Sequence, residues 1–558
     1  MAKLDSEKSL IRRRWKTTTV VAVIVVVVLA LVLGLALGLR HQQASGGGST
    51  NSTQSNAAKF VTRNEQEWVL SGNNFTTSSM VTTRYYEFNV SQMLGAPDGY
   101  QRTMLVVNGQ YPGPLIECNT GDRLVIKVNN QLDSGTAIHW HGMFQNGTNW
   151  MDGTVGVTQC PIPPGGSFTY NFTVPNQHGT YWWHSHMGSQ YADGIVGSLI
   201  IQDPNEGLAE DYDKDVIVML SDWYHDMSPV NTAIYLTAEA DGSEPVPENG
   251  VINGLNVFDC SKSANSSVPC TGGSYASFQV QPNKRYRFRL INTGAFADFN
   301  FSIDNHTLTV IETDGIAMTP VNVTRLPIAV AQRYSVIVNT NAAVDNYWIR
   351  AVMNQHCFAY TNPALNPDVM AVLRYQGANS TSDPTTVDNN LVDPATCNDL
   401  NQTMLVPHVP LDAPEPNVSY YFEVSFQTLN AALPKLAYMN TTTWIPLNST
   451  TTLQEAHSTT GNITTFGQDQ YVVTPPSNAS VIQIAIQSFD DGDHPFHLHG
   501  HVFWVMGTGD GYVQNPVPVF NSTNPLRRDT VTIPAYGWAV IRVQPNPAMQ
   551  WQFYPERM

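Results

Sequence analysis

Val481-Ile-Gln-Ile-Ala-Ile-Gln487 and, just beyond it, Asp490-Asp-Gly-Asp-His-Pro-Phe-His-Leu-His-Gly-His501 set a strand directly before a histidine cluster. The first run alternates apolar and polar residues, the period of a β-strand. The second holds four histidines within eight residues: His494, His497, His499 and His501. His497 and His499 are spaced i, i+2, so an extended backbone turns both to one face. Pro495 biases His494 toward extended geometry and away from helix. Neutral imidazoles on a rigid backbone are ligands for copper, zinc or iron. The alternative is a set of buried, hydrogen-bonded histidines, and the motif by itself leaves both open.

The same arrangement recurs along the chain. Asp122-Arg-Leu-Val-Ile-Lys-Val-Asn-Asn130 leads to Ile138-His-Trp-His-Gly142, and Tyr286-Arg-Phe-Arg-Leu-Ile-Asn-Thr293 leads to Phe301-Ser-Ile-Asp-Asn-His-Thr307. Short strands separated by turn signals, with no long amphipathic helix between them, predict Greek-key sandwiches or barrels. The middle unit has no His-x-His pair, and its isolated His306 and His356 read as ordinary polar or loop residues. A site built from the histidine pairs therefore falls between the first and third units.

Composition narrows the partners. A net charge of −17 argues against nucleic acid, and charged residues are only 13% of the chain. Residues 1–17 are basic, and 18–39 form a nearly unbroken apolar run long enough to cross a bilayer. The basic flank predicts a cytosolic N-terminus and an extracellular or lumenal remainder. A cleaved signal peptide is the competing reading, although such apolar regions are usually shorter. Residues 40–78 begin with a Gly/Ser-rich tether. Asn-x-Ser/Thr sequons, among them Asn74, Asn146, Asn171, Asn300, Asn322, Asn440 and Asn521, point to an exterior, glycosylated protein. So do six cysteines (Cys118, Cys160, Cys260, Cys270, Cys357 and Cys397), expected as structural disulfides because none has CxxC spacing.

Three His-x-His pairs stand out: His139-Trp-His141, His184-Ser-His186 and His497-Leu-His499. Converged, they would gather six imidazoles, enough for a polynuclear site, with copper favoured by an all-imidazole donor set. His139-Trp-His-Gly-Met-Phe-Gln145, His184-Ser-His-Met-Gly-Ser-Gln190 and His494-Pro-Phe-His-Leu-His-Gly-His501 resemble three of the four copper signatures of multicopper oxidases, the family of laccases, ascorbate oxidases and ferroxidases. Pro112-Gly-Pro-Leu-Ile-Glu117, Thr158-Gln-Cys-Pro161 and Arg527-Arg-Asp-Thr530 extend the likeness over residues 80–547. The resemblance implies an all-β chain of three cupredoxin-like Greek-key domains (79–207, 208–414 and 415–558) behind the N-terminal transmembrane helix. It implies copper, four ions per chain in the complete family, with a small reducing substrate such as a phenol and dioxygen as oxidant. By motif, His139 and His497 match type 2 copper ligands, His141, His184, His186 and His499 match type 3 ligands, and His494 matches a type 1 ligand. Asp152, otherwise a turn residue, matches an acid that assists proton delivery.

The fourth signature, a His-Cys-His, is absent. After Val543-Gln-Pro-Asn-Pro547 the sequence reads Ala548-Met-Gln-Trp-Gln-Phe-Tyr-Pro-Glu-Arg-Met558. Without its thiolate the type 1 site is incomplete, and the third domain is expected to be truncated with an open sheet edge and impaired turnover. For the substrate, Asp490 matches one of the acidic positions by which ferroxidases of this family bind iron(II). Ala192 stands where another is expected, and Met353–Asn362 has no aspartate. A laccase-type reading follows, with Asp490 a candidate for deprotonating a phenol and pigment precursors as possible substrates by analogy. Ferroxidase, and a non-catalytic membrane-tethered copper protein, are the alternatives.

Overall fold

The three alternating strands of the sequence take the same topological place in three successive β-sandwiches. Arg123–Asn130 pairs in parallel with Thr83–Gly95, Arg285–Asn292 with Lys214–Trp223, and Ile482–Ser488 with Val418–Thr428. On its other side each takes an antiparallel neighbour, Ser167–Thr173, Arg333–Asn339 and Gly537–Val543 respectively. The internal repeat is thus a repeat of pairing order. This computed structural model describes residues 68–70, 75–545 and 553–555, apart from 209–210, 241, 389–396, 398, 429–434, 448, 460–465, 468 and 515. The basic tail, the apolar run 18–39 and most of the tether lie outside those residues. Among the described residues no helix is long and apolar enough to cross a membrane.

Each sandwich faces its first sheet with a second one. In the first domain the second sheet includes β1 (Ile138–His141) and β2 (Gly179–Ser185), antiparallel with His139 opposite His184. In the third it is formed by β3 (His494–Leu498), flanked by β4 (Thr530–Ile533) and β5 (Phe553–Pro555). The expected open edge is corrected here. β5 pairs with β3, setting Tyr554 opposite His497, because a ladder needs only backbone donors and acceptors and a short extended segment supplies them.

Packing decides two further points. The alternating strand Ile482–Ser488 is buried on both faces. Gln483 accepts from the Arg542 Nε at 3.0 Å, and the Gln487 amide donates to the carbonyls of Gly511 and Gly537. Its polar face is thus covered by chain that satisfies it. Cys260–Cys270 and Cys357–Cys397 are disulfides, whereas Cys118 is buried and Cys160 exposed without bridging. Of the sequons, Asn146, Asn322 and Asn521 are exposed, but Asn300 is 2% exposed within a strand, where the fold leaves no room for a glycan.

The interface of the first two domains is charged and largely buried. Arg287 pairs with Glu206 and Glu312, and Arg289 pairs with Asp215 and donates to the Thr180 hydroxyl at 3.1 Å. Glu312 also accepts from the Thr180 amide at 2.9 Å and the Ser335 hydroxyl at 2.5 Å. Burial alone would raise its carboxyl, but Arg287 and Arg289 hold it down at about 2. Because the folded value is depressed, its stabilisation is complete above about pH 4.5 and fades as pH falls toward 2. Removing one member of a buried pair costs about 3–5 kcal/mol. Glu312→Gln is therefore expected to lower the denaturant midpoint markedly at pH 7. The gap from the natural chain should narrow steadily between pH 4.5 and 2, which equilibrium unfolding monitored by fluorescence will read.

Candidate metal centre

β1 and β2 of the first domain and β3 of the third meet face to face, and their histidines converge. The His141 and His497 rings stack at 3.7 Å between centroids, and His139 and His499 lie 4.1 Å apart. His184 is 5.3 Å from His139, and His186 is 5.5 Å from His139 and 5.4 Å from His499. Three overlapping groups hold their ligand atoms within 4.8 Å of one another: His139, His141 and His184; His139, His497 and His499; and His141, His497 and Asp529. Six of the seven histidines predicted from sequence are thus brought together. The seventh, His494, lies at the other end of β3.

The hydrogen bonds orient the rings. His139 Nδ1–H donates to the Asp152 carbonyl at 2.8 Å, His184 Nδ1–H to the Ser185 carbonyl at 2.9 Å, and His497 Nδ1–H to the Asp529 carbonyl at 2.9 Å. His499 Nδ1–H donates to the Asp152 carboxylate at 3.0 Å. In each of these rings the buried Nε2 has no hydrogen-bond partner. A neutral imidazole anchored at Nδ1 presents its Nε2 lone pair, the form a metal takes. Burial, and then neighbouring imidazoles or carboxylates, act on the titrations; the net effect lowers His141, His184, His186 and His499 and keeps them neutral. Convergent imidazole nitrogens without a hydrogen-bond partner fit a polynuclear copper site.

Asp152 joins the two domains. Its carbonyl holds His139, its carboxylate holds His499, and the Thr154 hydroxyl donates to it at 3.0 Å. Burial opposes ionisation, yet His139 and His499 keep its carboxyl well below the usual range. The turn depends on Gly153, at φ +91°, where a Cβ would lie 1.8 Å from the Ile138 carbonyl. By spacing alone this acid reads as a turn residue; its role in proton delivery was an expectation carried by the resemblance.

The surroundings of His494 differ. Its Nε2–H donates to Asp490 at 2.8 Å, Phe426 stacks on the ring at 4.7 Å, and Nδ1 is buried without a hydrogen-bond partner. Asp490 is buried rather than part of a solvated acidic loop. Among the described residues no thiol accompanies Nδ1: Cys118 and Cys160 belong to the first domain, and the other four cysteines are in disulfides. One orphaned nitrogen does not make up the donor set of a blue-copper centre, so the residues present do not fit that ion. His306 is an ordinary core histidine, held by the Asp304 carbonyl and the Tyr375 hydroxyl. Sequence reading missed Asp529 and its partner Arg333; the Arg527–Thr530 stretch flagged the region but not the role.

Three successive β-sandwiches, the first and third bringing paired histidines to one interface, define a copper-dependent oxidase architecture, and comparison with known proteins makes the assignment specific. Family models described as multicopper oxidase match residues 89–206, 214–378 and 438–556. Laccase-1 of Cryptococcus neoformans is 38% identical over 508 residues, covering 86% of this chain and 79% of the relative. The oxidoreductase OpS5 of Beauveria bassiana is 39% identical over 479 residues, covering 84% and 78%. Among solved structures, a laccase from Botrytis aclada superposes with a TM-score of 0.78 at 36% identity, covering 86% of both chains. Fet3p, described as a multicopper oxidase that functions in iron import, gives 0.75 at 29% identity, covering 85% of this chain and 88% of its own. The chain belongs to the multicopper oxidase family, with laccase-like oxidoreductases among its relatives, and copper is the cofactor the family implies.

Copper that binds only the folded chain at a hundred times its Kd stabilises it by about 2.7 kcal/mol. Added Cu2+ is expected to raise the thermal midpoint of the copper-free protein. His139→Ala or His497→Ala should remove most of that rise. His306→Ala should lower the midpoint yet keep the rise, which differential scanning fluorimetry with and without Cu2+ will distinguish.

Proposed function

We propose that this chain is a laccase-type oxidase that withdraws single electrons from phenols or related aromatics and passes them to dioxygen, with turnover impaired because among the described residues no thiol stands beside His494. Four phenols each give up one electron and one proton, and dioxygen takes four of each to become two waters. The observation that carries this reading is the convergence of His139, His141, His184, His186, His497 and His499 at a buried interface of two domains. Copper, when bound there, supplies the redox chemistry. His139 and His497 are the type 2 ligands in this reading, and His141, His184, His186 and His499 the type 3 ligands. Asp152 sits where a carboxylate can hand protons toward the ions, between His139 and His499.

Phenols are preferred to iron(II) on local chemistry. Hard cations need exposed oxygen donors, but Asp490 is buried and engaged by His494, and Ala192 offers no carboxylate. Substrates that couple into pigments are the class we favour. The basic flank, the apolar run 18–39, two disulfides and the exposed sequons support a place on the outer side of a membrane, anchored by its N-terminus.

A second reading has its own observation, the lack of a thiolate beside His494 among the described residues: a copper-binding protein without turnover. Oxygen consumption by the copper-loaded chain separates the readings. Slow uptake with a methoxyphenol, still exceeding that with Fe2+, is expected; a clear excess with Fe2+ overturns the phenol preference. No uptake with either, despite bound copper, favours the non-catalytic reading.

A further inference from the structure

The middle domain contributes no histidine to the site, yet its Arg333 reaches the site's framework. The side chain is fully buried. Its guanidinium makes a bidentate pair with Asp529 of the third domain, at 2.7 Å from Nη1 and 2.5 Å from Nη2. Its Nε–H donates at 3.0 Å to the Thr180 carbonyl, on the strand that carries His184, and Nη1–H donates to its own domain at the Ala331 carbonyl. One planar group is therefore bonded to all three domains.

Asp529 transmits that hold to the ligands. Its carbonyl accepts from His497 Nδ1–H at 2.9 Å and from the Leu498 amide at 3.1 Å. Its Oδ1 lies 3.6 Å from His497 Nδ1 and 3.8 Å from His141 Nε2 and accepts the Thr530 hydroxyl at 2.9 Å. His141 and His497 are the stacked pair, one from each ligand-bearing domain. Gly142, following His141 at φ +84°, completes the fit: a Cβ there would lie 2.8 Å from both Arg333 Nη2 and Asp529 Oδ2. The backbone next to one ligand is kept bare so that the ion pair can pack against it.

We infer that Arg333 is a positioning residue for the interdomain metal site, setting through Asp529 the spacing and tilt of His141 against His497. The inference rests on the copper-site reading. A fork of fixed geometry is what the task needs: a lysine in its place keeps the charge but loses the bidentate hold and at least one of the two carbonyl bonds. Groups that orient ligands from outside the ligand set typically change metal affinity about 10–100-fold when altered.

Cu2+ titration of the copper-free full chain tests this, with electron paramagnetic resonance of the bound ion and the thermal midpoint measured alongside. Arg333→Lys is expected to stay folded, bind Cu2+ about 10–100-fold more weakly and shift the hyperfine splitting. Arg350→Lys, at the Arg350–Asp304 pair of the same domain, should leave both copper readouts unchanged. Should Arg333→Lys fail to fold, the double variant Arg333→Met/Asp529→Asn removes both charges and leaves neither orphaned. Stability is then expected to recover without recovery of copper affinity; recovery of both overturns the inference. Natural affinity and spectrum in Arg333→Lys overturn it as well. A natural chain that takes up no copper overturns the site reading itself.

Discussion

Holding imidazoles at a protein–protein-like interface with their metal-facing nitrogens unpaired is the constraint to which the rest of this structure answers. Nε2 of His139, His184, His497 and His499 is buried with no hydrogen-bond partner. Each of these rings is fixed at its other nitrogen, through the carbonyls of Asp152, Ser185 and Asp529 and the Asp152 carboxylate. Rings so held cannot rotate to seek partners, and the vacant lone pairs stay aimed at one volume.

Because the ligands come from two domains, ring orientation alone does not make a site; the domains must also keep their register. Apolar packing between them would be tolerant of sliding, whereas bidentate ion pairs are not. Arg333 with Asp529, Arg528 with Asp314, and Arg287 with Glu206 and Glu312 all lie in the buried seams where the middle domain meets its neighbours. A buried pair contributes little net stability but penalises every arrangement that separates its charges. The ligand-free middle domain thereby acts as the jig for a site it does not touch.

This division explains what could be read from sequence. The His-x-His pairs were legible because a strand has period two, so spacing alone puts both rings on one side. The family fold was legible from the same motifs, and the three alternating strands mark equivalent places in three sandwiches. Arg333 and Asp529 were not legible as partners: they are 196 residues apart, in different domains, and an arginine in an alternating strand reads as a solvated face. Asn300 misled for the same reason, since polarity in sequence does not reveal whether other chain covers the residue. Cys118 and Cys160 show that an even count does not fix pairing.

The two ends of β3 separate what a fold requires from what its chemistry requires. In the first domain the strand opposite His139 brings His184; in the third, β5 brings Tyr554 opposite His497. The two ladders are equivalent as hydrogen-bonding structures, because pairing consumes only N–H and C=O groups and is indifferent to the side chain. A donor set has no such indifference: one imidazole fewer, or a missing thiolate, changes which ion and which oxidation state the site supports. At His494 the consequence is visible, with Nε2 anchored on Asp490 and Nδ1 aimed and buried without a hydrogen-bond partner, prepared as a ligand in a place where a single donor cannot define a centre. The ladder around β3 is thus satisfied by backbone alone, while the chemistry depends on which side chains the third domain and the facing first domain bring together.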